Sequence, residues 1–216
     1  MDLMARRRGI TASDSGVYVR SGLVLWMDGI DKGTTAGAWT DRVSGHVFTN
    51  VNGMESGQNY VGLSADRSQY FVNTTFNVPS GIWNTTLEVV ISDYAPAMMV
   101  FIAQPKKMCF GIRGTGDQIM TGTGDTNGPV ITYTNGSKIF SINGDGAYVD
   151  GIPVTISGDG LFAGADSNAY IGRRSTGYYY SGKIYAIRLY SRKLSSAEML
   201  HNQRIDNKRF GLGLTI

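Results

Sequence analysis

The chain has 216 residues, 42% of them apolar, with 29 glycines against 5 prolines; this suits one sizeable domain built from hairpins, not helices. Of the formal charge of +3, Asp2 with Arg6, Arg7 and Arg8 accounts for +2, so the remainder lacks the basic face that nucleic-acid binding requires. The single cysteine, Cys109, makes no intrachain disulfide and sits between Met108 and Phe110, a setting for buried packing, and no run is long and apolar enough for a membrane-spanning helix.

Residues 1–21 read as a segment apart from the body: a basic run, then small polar residues, then Val17-Tyr18-Val19. Two readings stay open for it, a frayed tail or a peptide that docks onto another protein through Arg6, Arg7 and Arg8. The arginines are followed by GITASDSG and not by an apolar stretch, so no secretion signal is expected and the N-x-Ser/Thr triplets at Asn73, Asn84 and Asn135 are read as chance.

The body, 22–216, opens on a strand over 22–28 that Asp28-Gly29 ends. A short element over 38–41 and a strand over 45–50 follow. Residues 60–63 and 69–72 are apolar strands flanking the polar turn 64–68. The runs TTLEVVIS (85–92) and MMVFIA (98–103) leave little room for solvent on either face and predict central strands. After a strand over 108–112 and a Gly/Thr loop over 121–128, a meander is expected over 130–134, 138–142, 147–149 and 152–156, with Asn143-Gly-Asp-Gly146 and Asp150-Gly151 as its hairpin turns. Residues 183–190 form a strand with Tyr185, Ile187 and Leu189 on its apolar parity. Ser195 and Glu198 have the spacing of a capping box, so a helix starts there and stops at Gly211. Its expected inward stripe is Leu194, Ala197, His201 and Ile205, with His201 packed and one ring nitrogen hydrogen-bonded. About a dozen short strands with one late helix fit an all-β, two-sheet antiparallel sandwich of jelly-roll type.

The order of GLVLWMDGID, WTDRVSGH, SADRSQYFV, SINGDGAYVDGIPVT and YIGRRSTGYYYSGKIYAIRLYSRKLSSAEMLHNQRIDNKRFG resembles the laminin-G-like domains of the concanavalin A-like lectin/glucanase superfamily, in its bacterial and phage-encoded branch. The resemblance covers 22–210 and implies a jelly-roll sandwich with a concave sheet or rim loops open to ligands. The opening MDLMARRRGI resembles the start of short proteins encoded beside tail or other virion genes.

Glycosidases generally need two spaced carboxylates, and the superfamily's glucanases carry theirs as Glu-x-Asp-x-x-Glu. The three glutamates, Glu55, Glu88 and Glu198, lie in no such motif. Asp28 and Asp31 are close in sequence, but a turn role suffices for both. The chain is therefore expected not to be an enzyme, with a divergent Asp-based hydrolase as the lesser alternative. With only His46 and His201 available, no zinc site is expected. Cofactors are none, calcium alone staying open through the loop residues Asp117, Asp125 and Asp166, for which turn formation is the commoner role.

A glycan site needs an aromatic plate for the sugar's apolar face and planar polar groups for its hydroxyls. Trp26 and Trp39 are assigned to the core. Trp83, Arg113, Arg173, Tyr178, Tyr179 and Tyr180 are the ligand-binding candidates; strand alternation points Tyr178 and Tyr180 one way and Tyr179 the other. The expected function is a non-catalytic virion-associated phage or prophage module that binds surface glycans or host cells. It would be attached to other virion proteins through Arg6, Arg7 and Arg8, in multiple copies or as a homo-oligomer, without nucleic-acid or membrane partners. Its expected location is the virion, or the bacterial cytoplasm before assembly. A structural or decorating protein without ligand is the alternative.

Overall fold

A computed structural model describes residues 17–33, 37–77, 84–95, 99–103, 108–113, 118–121, 130–132, 136, 138–156, 168–173 and 179–216. In chain order the strands are β1 (Leu23–Asp28), β2 (Ala38–Thr40), β3 (Val47–Val51), β4 (Glu55–Ser56), β5 (Val61–Leu63), β6 (Tyr70–Asn73), β7 (Thr86–Ser92) and β8 (Met99–Ala103). There follow β9 (Met108–Arg113), β10 (Gln118–Thr121), β11 (Val130–Thr132), β12 (Ile139–Asn143), β13 (Gly146–Val149), β14 (Ile152–Val154), β15 (Ala169–Ile171) and β16 (Gly182–Tyr190), then helix α1 (Ser196–Phe210).

The strands form two antiparallel eight-stranded sheets. The first runs β14-β13-β12-β7-β16-β5-β4, with β1 also paired to β16; the second runs β11-β10-β9-β8-β15-β6-β3-β2. Their inner faces meet in one core that includes Leu25, Trp39, Phe48, Phe71, Leu87, Val89, Phe110, Phe140, Ile171 and Ile187. The predicted all-β sandwich with one short C-terminal helix is the observed architecture. Strand β7 is buried at every position, as its apolar run predicts. The β12–β13–β14 hairpins turn where expected; Asp150 and Gly151, both at positive φ (49° and 84°), make the tight turn that lets Val149 pair with Ile152. Two local expectations change partner. The turn 64–68 joins β5 in the first sheet to β6 in the second, and β11, expected to open the meander, pairs with β10 in the second sheet.

The capping box is present: Ser195 Oγ accepts from the Glu198 N–H, Glu198 accepts from the Ser195 N–H, and Gly211 closes the helix in the left-handed conformation. The inward face of α1 differs from the expected stripe. It consists of Met199, Asn202, Gln203, Asp206 and Phe210, while His201 is exposed and bonds the Val17 carbonyl through Nε2 (2.9 Å). The reason is that α1 packs on a polar row of the first sheet's outer face, where Trp26, Arg188, Glu88, Ser141 and Tyr148 lie opposite one another on neighbouring strands. Arg188 Nε donates to Glu88 (2.8 Å), and its two terminal nitrogens donate to the Asp206 carboxylate. Asn202 Nδ2 donates to Glu88 (3.0 Å) and Gln203 Nε2 to Ser141 (2.9 Å). All six are at most 1% exposed. Burial raises the Glu88 pKa, against the lowering effect of the Arg188 charge. Apolar contacts flank the row: Val90, Ile139 and Ala186 against Phe210 and Leu212 on one side, Tyr190 and Leu194 against Met199 on the other.

The strand parity in β16 also shifts. Ile184, Ile187 and Leu189 face the core, whereas a bulge between Ile184 and Ala186 puts Tyr185 against Tyr60 and Phe210 on the outer side.

Residues 17–21 belong to the body, which corrects the division at residue 21. Tyr18 is 3% exposed and donates to Asp206 (2.8 Å) with its ring 4.3 Å from the Arg188 guanidinium carbon. The Val19 N–H donates to Asn202 (3.0 Å), and its carbonyl accepts from Tyr190 (3.2 Å). Arg6, Arg7 and Arg8 lie outside the described residues.

Two predictions follow from this packing. Breaking a buried ion pair from one side strands the partner charge, so Asp206→Ala should lose about 3–5 kcal/mol in urea unfolding; a loss under about 1 kcal/mol would remove the network as a fold determinant. Glu198 is held down to about 2 by hydrogen bonds from Arg192 and the Ser195 N–H. A carboxyl whose folded pKa lies below its unfolded value of 4.5 adds stability above 4.5 that disappears as pH falls toward 2. Thermal melts should therefore separate wild type from Glu198→Gln at pH 6 and converge near pH 2; a gap independent of pH would contradict this assignment.

Candidate functional site

The outer face of the first sheet carries α1, which leaves the second sheet's outer side without a covering helix among the described residues. Alternation along β3, β6 and β15 sends Phe48, Phe71, Ala169 and Ile171 into the core. It leaves Thr49, Val72 and Tyr170 in one cross-strand row on the side away from the core, beside Val51 and Tyr70; Thr49 is exposed, Val72 and Tyr70 are half-buried, and Tyr170 is buried at 8% exposure. The Tyr70 ring lies 6.1 Å from that of Tyr170 and 6.1 Å from that of Tyr179. The Arg173 guanidinium carbon is 4.6 Å from the Tyr70 ring centre, 5.4 Å from Tyr170 and 6.0 Å from Tyr179. Three phenol rings thus surround one guanidinium on the side away from the core, with Tyr70, Tyr179 and Arg173 half-buried and Tyr170 buried; such contacts range from about 0.5 kcal/mol when exposed to about 2 kcal/mol when desolvated.

The backbone explains how Arg173 and Tyr179 meet. Strand β15 ends at Ile171 and is followed by Gly172, whose φ of 83° and approach to Leu63, 2.3 Å from where a Cβ would stand, admit only glycine without rearrangement. Beyond it Arg173 forms an isolated antiparallel bridge with Tyr179, and the Tyr180 N–H donates to the Gly172 carbonyl (2.8 Å). Alternation then sends Tyr179 outward and Tyr180 inward. Tyr180 is fully buried and donates to the Lys183 carbonyl (3.1 Å). Its expected ligand role is corrected: it belongs to the sandwich core.

Of the other candidates, Trp83 and Tyr178 lie outside the described residues, as do Asp117, Asp125 and Asp166. Arg113 ends β9, its backbone opposite Gln118 of β10, and its side chain is outside the description, as is that of Cys109. Among the described residues no group of three or more His, Cys, Asp or Glu side chains could hold a metal ion. Tyr70 and Tyr170 were missed by sequence reasoning. Their signal was the alternation in Tyr70-Phe71-Val72 and Ala169-Tyr170-Ile171, where Phe71, Ala169 and Ile171 point into the sandwich core and Tyr70 and Tyr170 to the other side of the sheet, Tyr170 being buried there as well.

The residues shared with the quoted motifs are structural. Asp28 is fully buried and accepts from Arg42 (2.5 Å), Arg209 (2.6 Å) and the Ile30 N–H (3.0 Å); Asp31 pairs with Arg42 (3.3 Å). Asp41 accepts from the N–H groups of Trp26, Val43 and Ser44. Trp39 is in the core and donates to the Asp28 carbonyl (3.0 Å). Trp26 is buried outside the sandwich core, under Tyr18 and the guanidiniums of Arg20, Arg42 and Arg209. Asn73, the first of the N-x-Ser/Thr asparagines, is 7% exposed and spends its amide nitrogen on the Val47 carbonyl (2.8 Å).

No protein-family model and no curated protein sequence matches the chain. Solved structures share its fold at low identity. Trypanosoma rangeli sialidase in complex with the inhibitor DANA is 17% identical with a TM-score of 0.60, over 88% of this chain and 34% of the sialidase chain. The same sialidase in complex with sialic acid gives 18%, 0.57, 90% and 34%. A botulinum neurotoxin type C structure, described as dependent on two ganglioside molecules for cell entry, gives 9%, 0.60, 85% and 51%. The chain spans about a third of the sialidases and about half of the toxin chain. At these identities the likeness carries the fold. It also corrects the expectation that the chain is not an enzyme, because structures sharing the fold are named sialidases. That expectation rested on a missing carboxylate pair, and sialidases are an exception to the two-carboxylate rule, using a tyrosine nucleophile.

The opposed orientations of neighbouring tyrosines are testable by urea unfolding. Tyr180→Ala should cost about 3–5 kcal/mol as a large-to-small core change, and Tyr179→Ala no more than about 1 kcal/mol. Equal losses would mean that both rings are core.

Proposed function

We propose that the chain is a lectin-like carbohydrate-binding module that recognises surface glycans through the outer face of its second sheet, and that it serves on a phage or prophage particle. The observation that carries this reading is the Tyr70, Tyr170, Tyr179 and Arg173 cluster on the sheet face opposite the helix. Tyrosine rings offer the flat apolar surface on which the C–H face of a sugar stacks, and their hydroxyls reach its polar edge. The cation held among them adds planar N–H donors suited to hydroxyl and carboxylate oxygens. Neighbours in fold have been solved with sialic acid or described with gangliosides, which supports a carbohydrate ligand.

The laminin-G-like resemblance of the sequence motifs belongs to the same reading. Attachment through the front of the chain belongs to the same proposal; residues 17–21, where the described chain begins, lie against α1 and the first sheet. Single contacts of this kind are weak, and copies arrayed on a particle would raise the apparent affinity by avidity.

The test is a glycan array that includes bacterial surface polysaccharides, probed with the chain presented multivalently. Specific binding that falls at least tenfold in Tyr179→Ala, with a melting temperature lowered by no more than about 4 °C, is the expected result. A blank array, or binding indifferent to Tyr179→Ala and Tyr70→Ala alike, would remove the tyrosine cluster as a glycan site.

A further inference from the structure

A cleft of about 370 Å³ opens on the second sheet between the loop before β3 and the turn after β6, lined by Gly45, His46, Val47, Thr49, Val72 and residues 73–75. Its walls are built, not incidental. Asn73 Oδ1 accepts from the N–H groups of Thr75 (2.9 Å) and Phe76 (2.6 Å), and its amide donates to the Val47 carbonyl, which fixes the turn against β3. The His46 ring stands edge-on to buried Phe76 at 5.2 Å. Val47 is 42% exposed at the mouth, and Thr49, Thr74 and Thr75 are exposed beside it. Among the described residues, the lining contains no Asp, Glu, Lys or Arg.

The cleft is contiguous with the tyrosine cluster. Thr49 and Val72, which line it, belong to the same cross-strand row as Tyr170. Tyr70 of the cluster and Val72 of the cleft stand two residues apart on the same side of β6, about 7 Å along the strand. A ligand stacked on the tyrosines and extended along the row therefore enters the cleft without crossing a charged side chain. There it meets an apolar patch at Val47 and Val72, the hydroxyls of the threonines and an imidazole. That combination of apolar contact with uncharged donors and acceptors is what a neutral sugar ring requires.

We infer that this face is a two-subsite groove for an oligosaccharide, in which the half-buried Tyr70, Tyr179 and Arg173, backed by buried Tyr170, contact one sugar and the Thr49–His46–Thr75 cleft takes a neutral sugar linked to it. This inference rests on the glycan reading of the tyrosine cluster and adds a chain-length requirement to it. The cleft residues are specificity-determining and the tyrosines supply the primary contact.

The test uses the full chain and titrates glucose, maltose, maltotetraose, cellobiose, cellotetraose, galactose and lactose by calorimetry or ligand-observed NMR, in wild type, Thr49→Arg and Thr74→Arg. Both replacements are at exposed positions and fill the cleft; melting temperatures verify folding. At least one oligosaccharide should bind about tenfold or more tightly than its monosaccharide, and both variants should remove that gain while leaving monosaccharide binding in place. Binding independent of chain length, or a gain that survives both variants, overturns the second subsite but leaves the tyrosine site standing. A positive glycan array with no binding to any of these neutral oligosaccharides also overturns it. A blank array is a different failure, that of the glycan reading itself, and it takes this inference with it.

Discussion

The Arg188 guanidinium, buried between Glu88 and Asp206, ties together three parts of the chain that are distant in sequence. Arg188 and Glu88 come from the two central strands of the first sheet, Asp206 from the helix, and Tyr18 closes the same group from the front of the chain. Such a network does not have to contribute net stability, because desolvating three charges offsets much of their attraction. What it does impose is geometry. A helix shifted by one residue would present Asp206 and Asn202 to apolar strand positions and leave buried charges unmatched, at a cost of several kcal/mol. The apolar contacts of Phe210 and Met199 on either side tolerate small displacements; the bidentate pair between Arg188 and Asp206 does not.

This constraint gives the sandwich two unlike outer faces. The first sheet is closed by α1, with residues 17–21 laid beside it and Arg209 reaching from the helix to Asp28. Asp28 and Asp41 extend that scaffold: one receives Arg42 and Arg209, the other gathers three N–H groups at the chain reversal after β2. Among the described residues, the second sheet's outer side carries aromatic rings, hydroxyls and the Arg173 guanidinium, the groups on which the proposed glycan site rests. The buried ion pairs that fix the helix thus lie on the first sheet's side of the core, and the cluster proposed as a glycan site on the second sheet's.

The fold was legible because its signals are local. The Asp150-Gly151 turn, the Ser195 and Glu198 capping box and the all-apolar run of β7 each depend on a few adjacent residues. The inward face of α1 was not legible, since Asn202, Gln203 and Asp206 read as a solvated face unless one knows that Arg188, Glu88 and Ser141 lie beneath them. Tyr185 was assigned to the wrong side because a one-residue bulge is invisible to period-two alternation. The site was half legible: Arg173 and Tyr179 were singled out, but Tyr70 reaches them only through the pairing of β6 with β15, across about a hundred residues of sequence. Tyr180 shows the converse, an aromatic in the right tripeptide whose neighbour's orientation decides its fate.

The most direct measurement is an NMR titration of the isotopically labelled chain with a glycan it binds, following backbone amides on both faces. Shift changes should concentrate on Thr49, Tyr70, Val72, Tyr170, Arg173 and Tyr179 and leave α1 and residues 17–21 unmoved. Changes confined to the helix side, with the second sheet silent, would contradict the division of the sandwich into a structural face and a recognition face.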